Sequence, residues 1–231
     1  MKRPAAELIG TGSLVAAVVG SGIMATQLTS DLGLALLINA VATVAALGVL
    51  IWTLGPISGA HFNPAVTMIA LLRKEMPPRE AGSYVLAQLV GAFLGVALAN
   101  VMFDLPAWHL STTDRVEVGT LLGEVVATAG LLALIGSITR TNHGHLGPVL
   151  VPAWIGSAYF FTASTSFANP AVTFGRVFTD TFTGIAPASV LPYIAAQLVG
   201  AGVGALLTAF FYPPSAPLDL PDPVHLPEGT S

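Results

Sequence analysis

The pentapeptide Asn-Pro-Ala-Val-Thr occurs twice in this chain, at residues 63–67 and 169–173. Asparagine is a preferred cap at a helix N-terminus, and proline is pre-shaped for the first helical position. Each copy therefore predicts the start of a helix. The apolar runs that begin there, residues 63–72 and 169–178, are too short to cross a bilayer. Their matching places in the two halves of the chain favour re-entrant half-helices over interfacial or loop helices.

The composition is that of a membrane protein. Charged residues make up 9% of the 231 residues and hydrophobic residues 54%, whereas a typical soluble domain carries about 25% charged residues. The sequence has no cysteine, which excludes disulfides, thiol catalysis and cysteine metal sites. Six apolar stretches are long enough to span a bilayer, which takes roughly 20 helical residues. They are residues 8–28, 34–54, 82–103, 119–138, 148–166 and 190–211.

Polar residues inside these spans repeat in the same order. Glu7 opens the first span and Glu124 lies early in the fourth, while Gln88 and Gln197 lie in the third and sixth. Each half thus contains three spans and one half-helix. Because three is an odd number, the second half must lie upside down relative to the first, so that the two half-helices meet N-terminus to N-terminus near the membrane midplane.

The pattern predicts one channel domain, residues 1–211, made of repeat 1–110 and repeat 115–211. Residues 212–231 are Pro-rich and carry no Lys or Arg, which predicts a disordered cytoplasmic tail. The basic residues divide unequally between the two predicted sides of the membrane, and the positive-inside rule then places both termini in the cytoplasm. The cytoplasmic side holds Lys2, Arg3, Arg73, Lys74, Arg79 and Arg140, and the outer side holds Arg115 and Arg176.

The string from Ser58 to Thr67, the second Asn-Pro-Ala and the paired Glu and Gln residues resemble the aquaporins, the major intrinsic protein family of water and small-solute channels. The resemblance extends to about Tyr212. It implies an all-α membrane protein in the cell (inner) membrane, with an aquaporin-like inverted repeat of six transmembrane helices plus two re-entrant half-helices. It further implies a homotetramer that contacts membrane lipids and passes small neutral solutes. It implies no enzyme activity, and no cofactor, metal or nucleic-acid partner. The pore motif it implies consists of Asn63, Pro64, Ala65, Asn169, Pro170 and Ala171.

The selectivity filter departs from the family pattern. Most aquaporins have an arginine directly after the second Asn-Pro-Ala, whereas this chain has Val172. Transferring the other filter positions by their distance from the two asparagines gives Thr43, Ser157 and Ser166, with Gly156 as the alternative to Ser157. These residues predict a wide, uncharged filter that passes solutes larger than water, such as glycerol, urea and neutral arsenous acid. The flanking sequences resemble a bacterial subgroup linked to arsenic resistance.

Several interpretations stay open at this level. Arg176 either lines the outer mouth of the pore or extends to the interface beside Asp180. The two glutamates, with Gln88 and Gln197, either support the half-helices, as the family resemblance implies, or carry protons in a secondary transporter. Each motif asparagine either offers its amide donors to the solute or serves only as a helix cap. An ordinary glycerol or water facilitator is the alternative within the channel class.

Overall fold

The computed structural model describes residues 1–213, and within that range the chain forms α-helices joined by loops and two short 3-10 turns. The predicted tail beyond residue 213 lies outside the described residues. The helices are α1 (Lys2–Leu28), α2 (Leu32–Ser58), α3 (Pro64–Leu72), α4 (Pro78–Met102), α5 (Val118–Arg140), α6 (Gly147–Phe161), α7 (Pro170–Gly175) and α8 (Pro187–Phe211). The 3-10 turns are Gly144–Leu146, directly before α6, and Arg176–Phe178, directly after α7.

Five helices, α1, α2, α4, α5 and α8, are long and apolar enough to cross a membrane. Large apolar side chains cover their outer surfaces, and Trp52, Leu86 and Leu191 each expose 65% or more of their area. A contiguous apolar exterior on a folded protein marks a surface that meets another apolar phase. The all-α membrane fold predicted from the sequence is therefore confirmed.

The fifth predicted span is shorter than expected. Residues 148–166 were predicted to be one helix, but α6 has 15 residues and ends at Phe161. Thr162 is extended (φ −107°, ψ 142°), and its hydroxyl donates to the carbonyl of Ala158 (2.7 Å). The hydroxyl of Ser164 accepts the backbone N–H of Ser166 (3.2 Å). Hydroxyl side chains that bond locally to the backbone compete with the helix, so the chain leaves the helix here and turns toward α7.

The helices pair in the same way in both halves. Helix α1 packs along α4, α5 packs along α8, and α2 meets α6 across the boundary between the halves. Glycines allow the close approach: a Cβ added to Gly91 would collide with the carbonyl oxygen of Leu8, and one added to Gly200 would collide with that of Val125. Small residues at such crossings are typical of membrane helix pairs.

The two half-helices form where the repeated pentapeptide predicts them. Helix α3 covers Pro64–Leu72 and contacts α4 and α8, and α7 with its 3-10 turn covers Pro170–Phe178 and also contacts α4 and α8. The two half-helices contact each other at their beginnings, next to Asn63 and Asn169. The long helices thus surround a central junction made of two helix N-termini.

Candidate channel site

The two motif asparagines cap the half-helices. The side-chain oxygen of Asn63 accepts the backbone N–H of Ala65 (2.9 Å), and that of Asn169 accepts the N–H of Ala171 (2.9 Å). Each cap satisfies a backbone donor that has no partner within the helix. The proline that follows each asparagine occupies the first helical position and has no N–H to satisfy.

The same asparagines connect the two halves. The Nδ2 amide of Asn63 donates to the carbonyl of Ala168 (2.7 Å), and that of Asn169 donates to the carbonyl of Phe62 (2.8 Å). A primary amide carries two N–H groups, so one donor on each asparagine is used across the junction. Both asparagines also line the central cavity, and each amide keeps a second N–H group with no hydrogen-bond partner among the described residues.

The backbone before each half-helix turns through the left-handed region. Phe62 has φ 48° and Ala168 has φ 46°, and two residues earlier Ala60 and Ser166 have φ 51° and 54°. Such values are uncommon for residues other than glycine and persist only where the surroundings impose them. The two segments share this conformation at equivalent positions, so the sequence repeat continues in the backbone.

Glu7 imposes that conformation in the first half. Its carboxylate is fully buried and accepts the backbone N–H groups of His61 (3.0 Å) and Phe62 (2.7 Å). The hydroxyl of Ser58 donates to the same carboxylate (2.6 Å). A buried carboxylate is tolerated when hydrogen bonds replace its hydration, and here the donors come from the segment that leads into α3.

Glu124 has the equivalent role in the second half. It is also fully buried, and it accepts the backbone N–H groups of Phe167 (2.9 Å) and Ala168 (2.8 Å). Both carboxylates therefore hold the loop that precedes a half-helix, and both do so through two consecutive amides.

A glutamine completes each of these networks. The Nε2 of Gln88 donates to Glu7 (2.8 Å) and to the hydroxyl of Thr67 in α3 (3.0 Å). The Nε2 of Gln197 donates to the second carboxylate (2.6 Å) and to the hydroxyl of Thr173 in α7 (2.8 Å). Each glutamine thus ties a long helix to the first turn of a half-helix.

A cavity of about 280 Å³ passes the junction. Its lining extends from Arg73, at the end of α3, to Arg176, just after α7. Because the half-helices run in opposite directions away from the junction, these two arginines mark opposite ends of the cavity. The backbone segments before α3 and α7 supply polar lining, and apolar side chains form the facing walls. Those side chains include Leu14, Val18, Leu47, Leu131, Leu132, Ile135, Val151 and Ile155.

Three of the four predicted filter residues, Thr43, Ser166 and Val172, are buried and line this cavity. The prediction for Ser157 is wrong, because the structure places it on the exposed outer face of α6. Its alternative, Gly156, packs next to Val44 and is not part of the lining either.

The cavity face of α6 is formed by Val151, Ile155 and Tyr159, which are spaced four residues apart. Counting back from Asn169 gave the wrong residue because residues 162–168 are not helical. The four-residue spacing of large side chains was the signal that could have identified Tyr159.

Arg176 is buried in the cavity wall, with 5% of its area exposed. Its Nε donates to the carbonyl of Thr183, and its guanidinium carbon lies 3.4 Å from the centroid of the Phe167 ring. Asp180 is not its partner, since that carboxylate accepts the N–H of Thr112 (2.8 Å). The structure therefore puts a cation in the wall of the cavity, one helical turn beyond Val172.

The loop that follows α4 covers the end of the cavity at which Arg176 lies. The N–H of Ser111 donates to the carbonyl of Val177 (2.8 Å), and that of His109 donates to the carbonyl of Phe178 (3.3 Å). The backbone N–H of Thr112 holds the pKa of Asp180 below its ordinary value, and the hydroxyls of Thr112 and Ser111 add to this effect. These bonds fix the turn that carries Arg176.

A bundle of membrane-crossing helices that encloses two opposed half-helices around a cavity defines a multi-pass membrane protein of the channel class. The chain belongs to the major intrinsic protein family, and the family model described as Major intrinsic protein matches residues 1–167.

Similar proteins include both curated sequences and solved structures. The chain is 48% identical over 217 residues to "Aquaglyceroporin AqpS" of Rhizobium meliloti, covering 94% of this chain and 93% of that protein. It is 27% identical over 220 residues to "Glycerol uptake facilitator protein-like 6" of Lactiplantibacillus plantarum, covering 91% and 96%. The X-ray structure of the aquaglyceroporin from Plasmodium falciparum has the same fold, with a TM-score of 0.65, 22% identity, and 91% and 94% of the two chains covered.

Proposed function

We propose that this chain is a passive transmembrane channel for small uncharged solutes, formed by a single domain of residues 1–211 with repeats 1–110 and 115–211. The observation that carries the proposal is the cavity at the junction of α3 and α7, which both motif asparagines line. Its walls are apolar on one side and hydrogen-bonding on the other, which suits a neutral solute that exchanges part of its water shell for contacts with the wall.

Charge exclusion follows from the orientation of the half-helices. Each helix N-terminus carries roughly half a positive charge, and both N-termini meet at the junction between Asn63 and Asn169. Cations, including a hydrated proton, are repelled there. The free amide donor of each asparagine orients a passing hydroxyl group and interrupts the chain of hydrogen bonds along which protons would move.

Arg176 adds to this barrier at the outer mouth. Its guanidinium is in the cavity wall, stacked on Phe167, and Val172 occupies the position where most aquaporins have arginine. The cation therefore lies one turn further out, and Val172 leaves the filter itself wide. A displaced cation with a wide filter favours passage of solutes larger than water.

The solutes that fit this description are glycerol, urea and neutral arsenous acid, As(OH)₃, with water as a further permeant. The two similar proteins, an aquaglyceroporin and a protein resembling glycerol uptake facilitators, support the polyol part of this set. The resemblance to a bacterial subgroup linked to arsenic resistance supports arsenous acid. An ordinary glycerol or water facilitator is the second candidate. The hydroxyl-bearing lining suits the neutral solutes of both candidates better than it suits charged substrates.

The carboxylates serve as supports in this proposal. The loops before the half-helices donate backbone N–H groups to Glu7 and Glu124. The side chains of Gln88 and Gln197 donate to the same two carboxylates. Proton carriers in a transporter would instead face the permeation path, and neither glutamate is among the cavity-lining residues.

The assembly we propose is a homotetramer in the cell (inner) membrane, with one pore per protomer and both termini in the cytoplasm. The exposed apolar surface of the long helices suits contact with lipid and with neighbouring copies. The orientation is measured with single-cysteine variants at residue 2 and at residue 110, treated in spheroplasts with a membrane-impermeant thiol reagent. We expect the reagent to label only the cysteine at residue 110.

The function is tested with the purified full chain in proteoliposomes. Stopped-flow light scattering gives the permeabilities for water, glycerol and urea, and arsenite influx is measured separately. We expect permeabilities above those of protein-free liposomes for glycerol and arsenous acid. If water alone passes quickly, the water facilitator is correct and the polyol and metalloid proposals fail.

A pair of tryptophan variants shows whether flux uses the described cavity. Val66→Trp fills the cavity beside Asn63, whereas Leu86→Trp adds the same side chain on the exposed face of α4. Loss of all fluxes in the first variant and wild-type fluxes in the second are expected. Wild-type flux in Val66→Trp would place the permeation path elsewhere.

A further inference from the structure

Two arginine side chains lie against the ring of Phe167. The guanidinium carbon of Arg176 is 3.4 Å from the ring centroid, and that of Arg115 is 5.5 Å from it. The carbonyls of residues 182 and 184 accept two N–H groups of Arg115 (3.0 and 2.7 Å), and the carbonyl between them accepts the Nε–H of Arg176. One short loop therefore fixes both cations at the same end of the cavity.

Neither arginine has a carboxylate partner within the part of the chain that the structure describes. The aspartates next to them in sequence, Asp114 and Asp180, accept hydrogen bonds from hydroxyl and backbone N–H groups. Glu124 accepts those of the loop before α7. Among the described residues, the cavity lining has one acidic side chain, Glu75, which lies with Arg73 at the opposite end. The lining at the Arg176 end thus presents a positive charge with no acidic side chain beside it.

Arg176 also has hydrogen-bonding capacity that the protein does not use. A guanidinium carries five N–H groups, and the acceptor found for this one among the described residues is the carbonyl of Thr183. The terminal nitrogens Nη1 and Nη2 have no partner there, and both remain accessible although the residue exposes only 5% of its area. These two nitrogens form the end of the guanidinium fork, which binds two oxygens of one carboxylate or phosphate group. Burying an unpaired charge costs free energy, so an anion that binds here offsets a cost already present in the fold.

We propose that Arg176, supported by the charge of Arg115, is a binding site for a small oxyanion such as phosphate, and that the bound anion obstructs the cavity. The anion comes from the aqueous phase, because Arg176 lines the cavity. It stops at the arginine, because Val172, one turn closer to the junction, offers no hydrogen bond to replace the hydration of an ion. The site is defined by the two arginines, and the inference rests on the proposed channel function only for the obstruction of solute flux.

The competing interpretation is that Arg176 only stiffens its turn by stacking on Phe167 and by bonding Thr183. Such an arginine would respond to phosphate no differently than to any salt of the same ionic strength, since screening is not specific to one ion. A comparison of phosphate with chloride at equal ionic strength therefore separates the two interpretations.

Glycerol permeability of the full chain in proteoliposomes is the first readout. Inorganic phosphate is present on both sides of the membrane, and chloride replaces it in the reference samples. We expect glycerol permeability to fall at least about twofold, with half of the loss reached at about 1–10 mM phosphate, as for a small ion held by a few charge-assisted hydrogen bonds. Chloride at the same ionic strength should leave the permeability unchanged.

Three substitutions locate the effect, each measured relative to its own permeability without phosphate. In Arg176→Gln the phosphate concentration for half of the loss should rise about tenfold or more, because the charge and the fork are both removed. Arg176→Lys keeps the charge without the fork and should give a smaller rise. Arg79→Gln is the matched control, because it removes an exposed arginine at the beginning of α4, away from the loop that follows that helix, and it should respond to phosphate like the wild type.

The unfolding midpoint in detergent is the second readout, and it does not depend on flux. A ligand that binds the folded state raises the midpoint, so phosphate should raise that of the wild type by an amount that saturates at millimolar concentration. A rise that never saturates is the general effect of an excluded salt and counts against the site. If Arg176→Gln fails to fold, Arg176→Lys and the wild-type midpoint decide.

Equal inhibition of the wild type and Arg176→Gln, or no response to phosphate in either readout, would overturn the proposal. A saturating midpoint shift with unchanged glycerol flux would overturn the obstruction. A wild-type protein that passes no glycerol above the liposome background contradicts the proposed channel function instead, and the midpoint then still tests the anion site.

Discussion

Two buried carboxylates are the residues on which the junction depends most directly. Glu7 and Glu124 each accept two consecutive backbone N–H groups from a segment with left-handed residues. Neither has a charged partner within hydrogen-bonding distance among the described residues, since the salt bridge found there joins Arg3 to Glu80 on the surface. The bonded backbone amides and the glutamine donors therefore replace both hydration and a counter-charge.

Replacing Glu124 by glutamine should destabilise the protein. It should not change how solute flux depends on a proton gradient. The amide of Glu124→Gln retains one acceptor oxygen, so at least one of the donors from Phe167, Ala168 and Gln197 loses its partner. The cost is about 1–3 kcal/mol, visible as a lower midpoint of unfolding in detergent. Glu80→Gln is the control, since it breaks an exposed pair worth about 0–1 kcal/mol. Unchanged stability together with altered dependence on a proton gradient would indicate a transporter.

The residue after the second motif should set the width of the filter. Val172→Arg places a long cation in the cavity one turn from Arg176, and like charges four residues apart on a helix repel each other. We expect glycerol and urea permeabilities to fall more than water permeability. Val172→Met, which adds length without charge, separates size from electrostatics and should produce a smaller shift. An equal loss for all solutes would show that Val172 is not at the constriction.

At the scale of elements, the sequence predicted helix starts better than helix ends. The Asn-Pro strings set the starts of α3 and α7 because cap and first-turn residues act locally. The end of α6 was missed because Thr162 and Ser164 stop the helix through side-chain bonds that hydropathy does not register. Ser157 was misplaced for the same reason, and Tyr159 was missed with it. The position of Arg176 depends on stacking against Phe167, a contact that no local pattern encodes.

The close contact between α1 and α4 at Gly91 can be tested by substitution. A Cβ at Gly91 would collide with the carbonyl of Leu8 in α1, whereas a Cβ at Gly82, in the same helix, would meet nothing within 4 Å. Gly91→Ala is therefore expected to destabilise by about 1–3 kcal/mol, as overpacking does. Gly82→Ala should be neutral or stabilising by up to about 1 kcal/mol, because alanine favours a helix. Unfolding midpoints in detergent measure both, and similar midpoints for the two variants would contradict the packing of α1 on α4.

At the scale of the whole molecule, the duplication explains how one short chain builds a symmetric junction. The capping bonds, the left-handed turns, the carboxylate anchors and the glutamine ties all occur twice, once per half. Two inverted copies place two helix N-termini at one point, which a single copy cannot do. The halves differ in the lining beyond the junction, where Thr43 and Tyr159 have no equivalents of the same type. We therefore propose that electrostatic exclusion depends on the repeat and that solute preference depends on the differences between its copies.

The assembled channel should pass neutral solutes without moving protons. In the proposed mechanism the barrier arises from two opposed helix N-termini and from Arg176, and none of these groups needs to gain or lose a proton during passage. Glycerol flux into proteoliposomes is therefore expected to be the same with and without an imposed pH gradient. Proton flux, followed with an entrapped pH-sensitive dye under a clamped potassium potential, should stay at the level of protein-free liposomes. Arg176→Gln separates the two sources of the barrier: proton flux that remains at background shows that the helix N-termini suffice, and a rise shows that the displaced arginine is needed. Proton flux through the wild-type protein at a rate comparable to that of glycerol would contradict the exclusion mechanism as a whole.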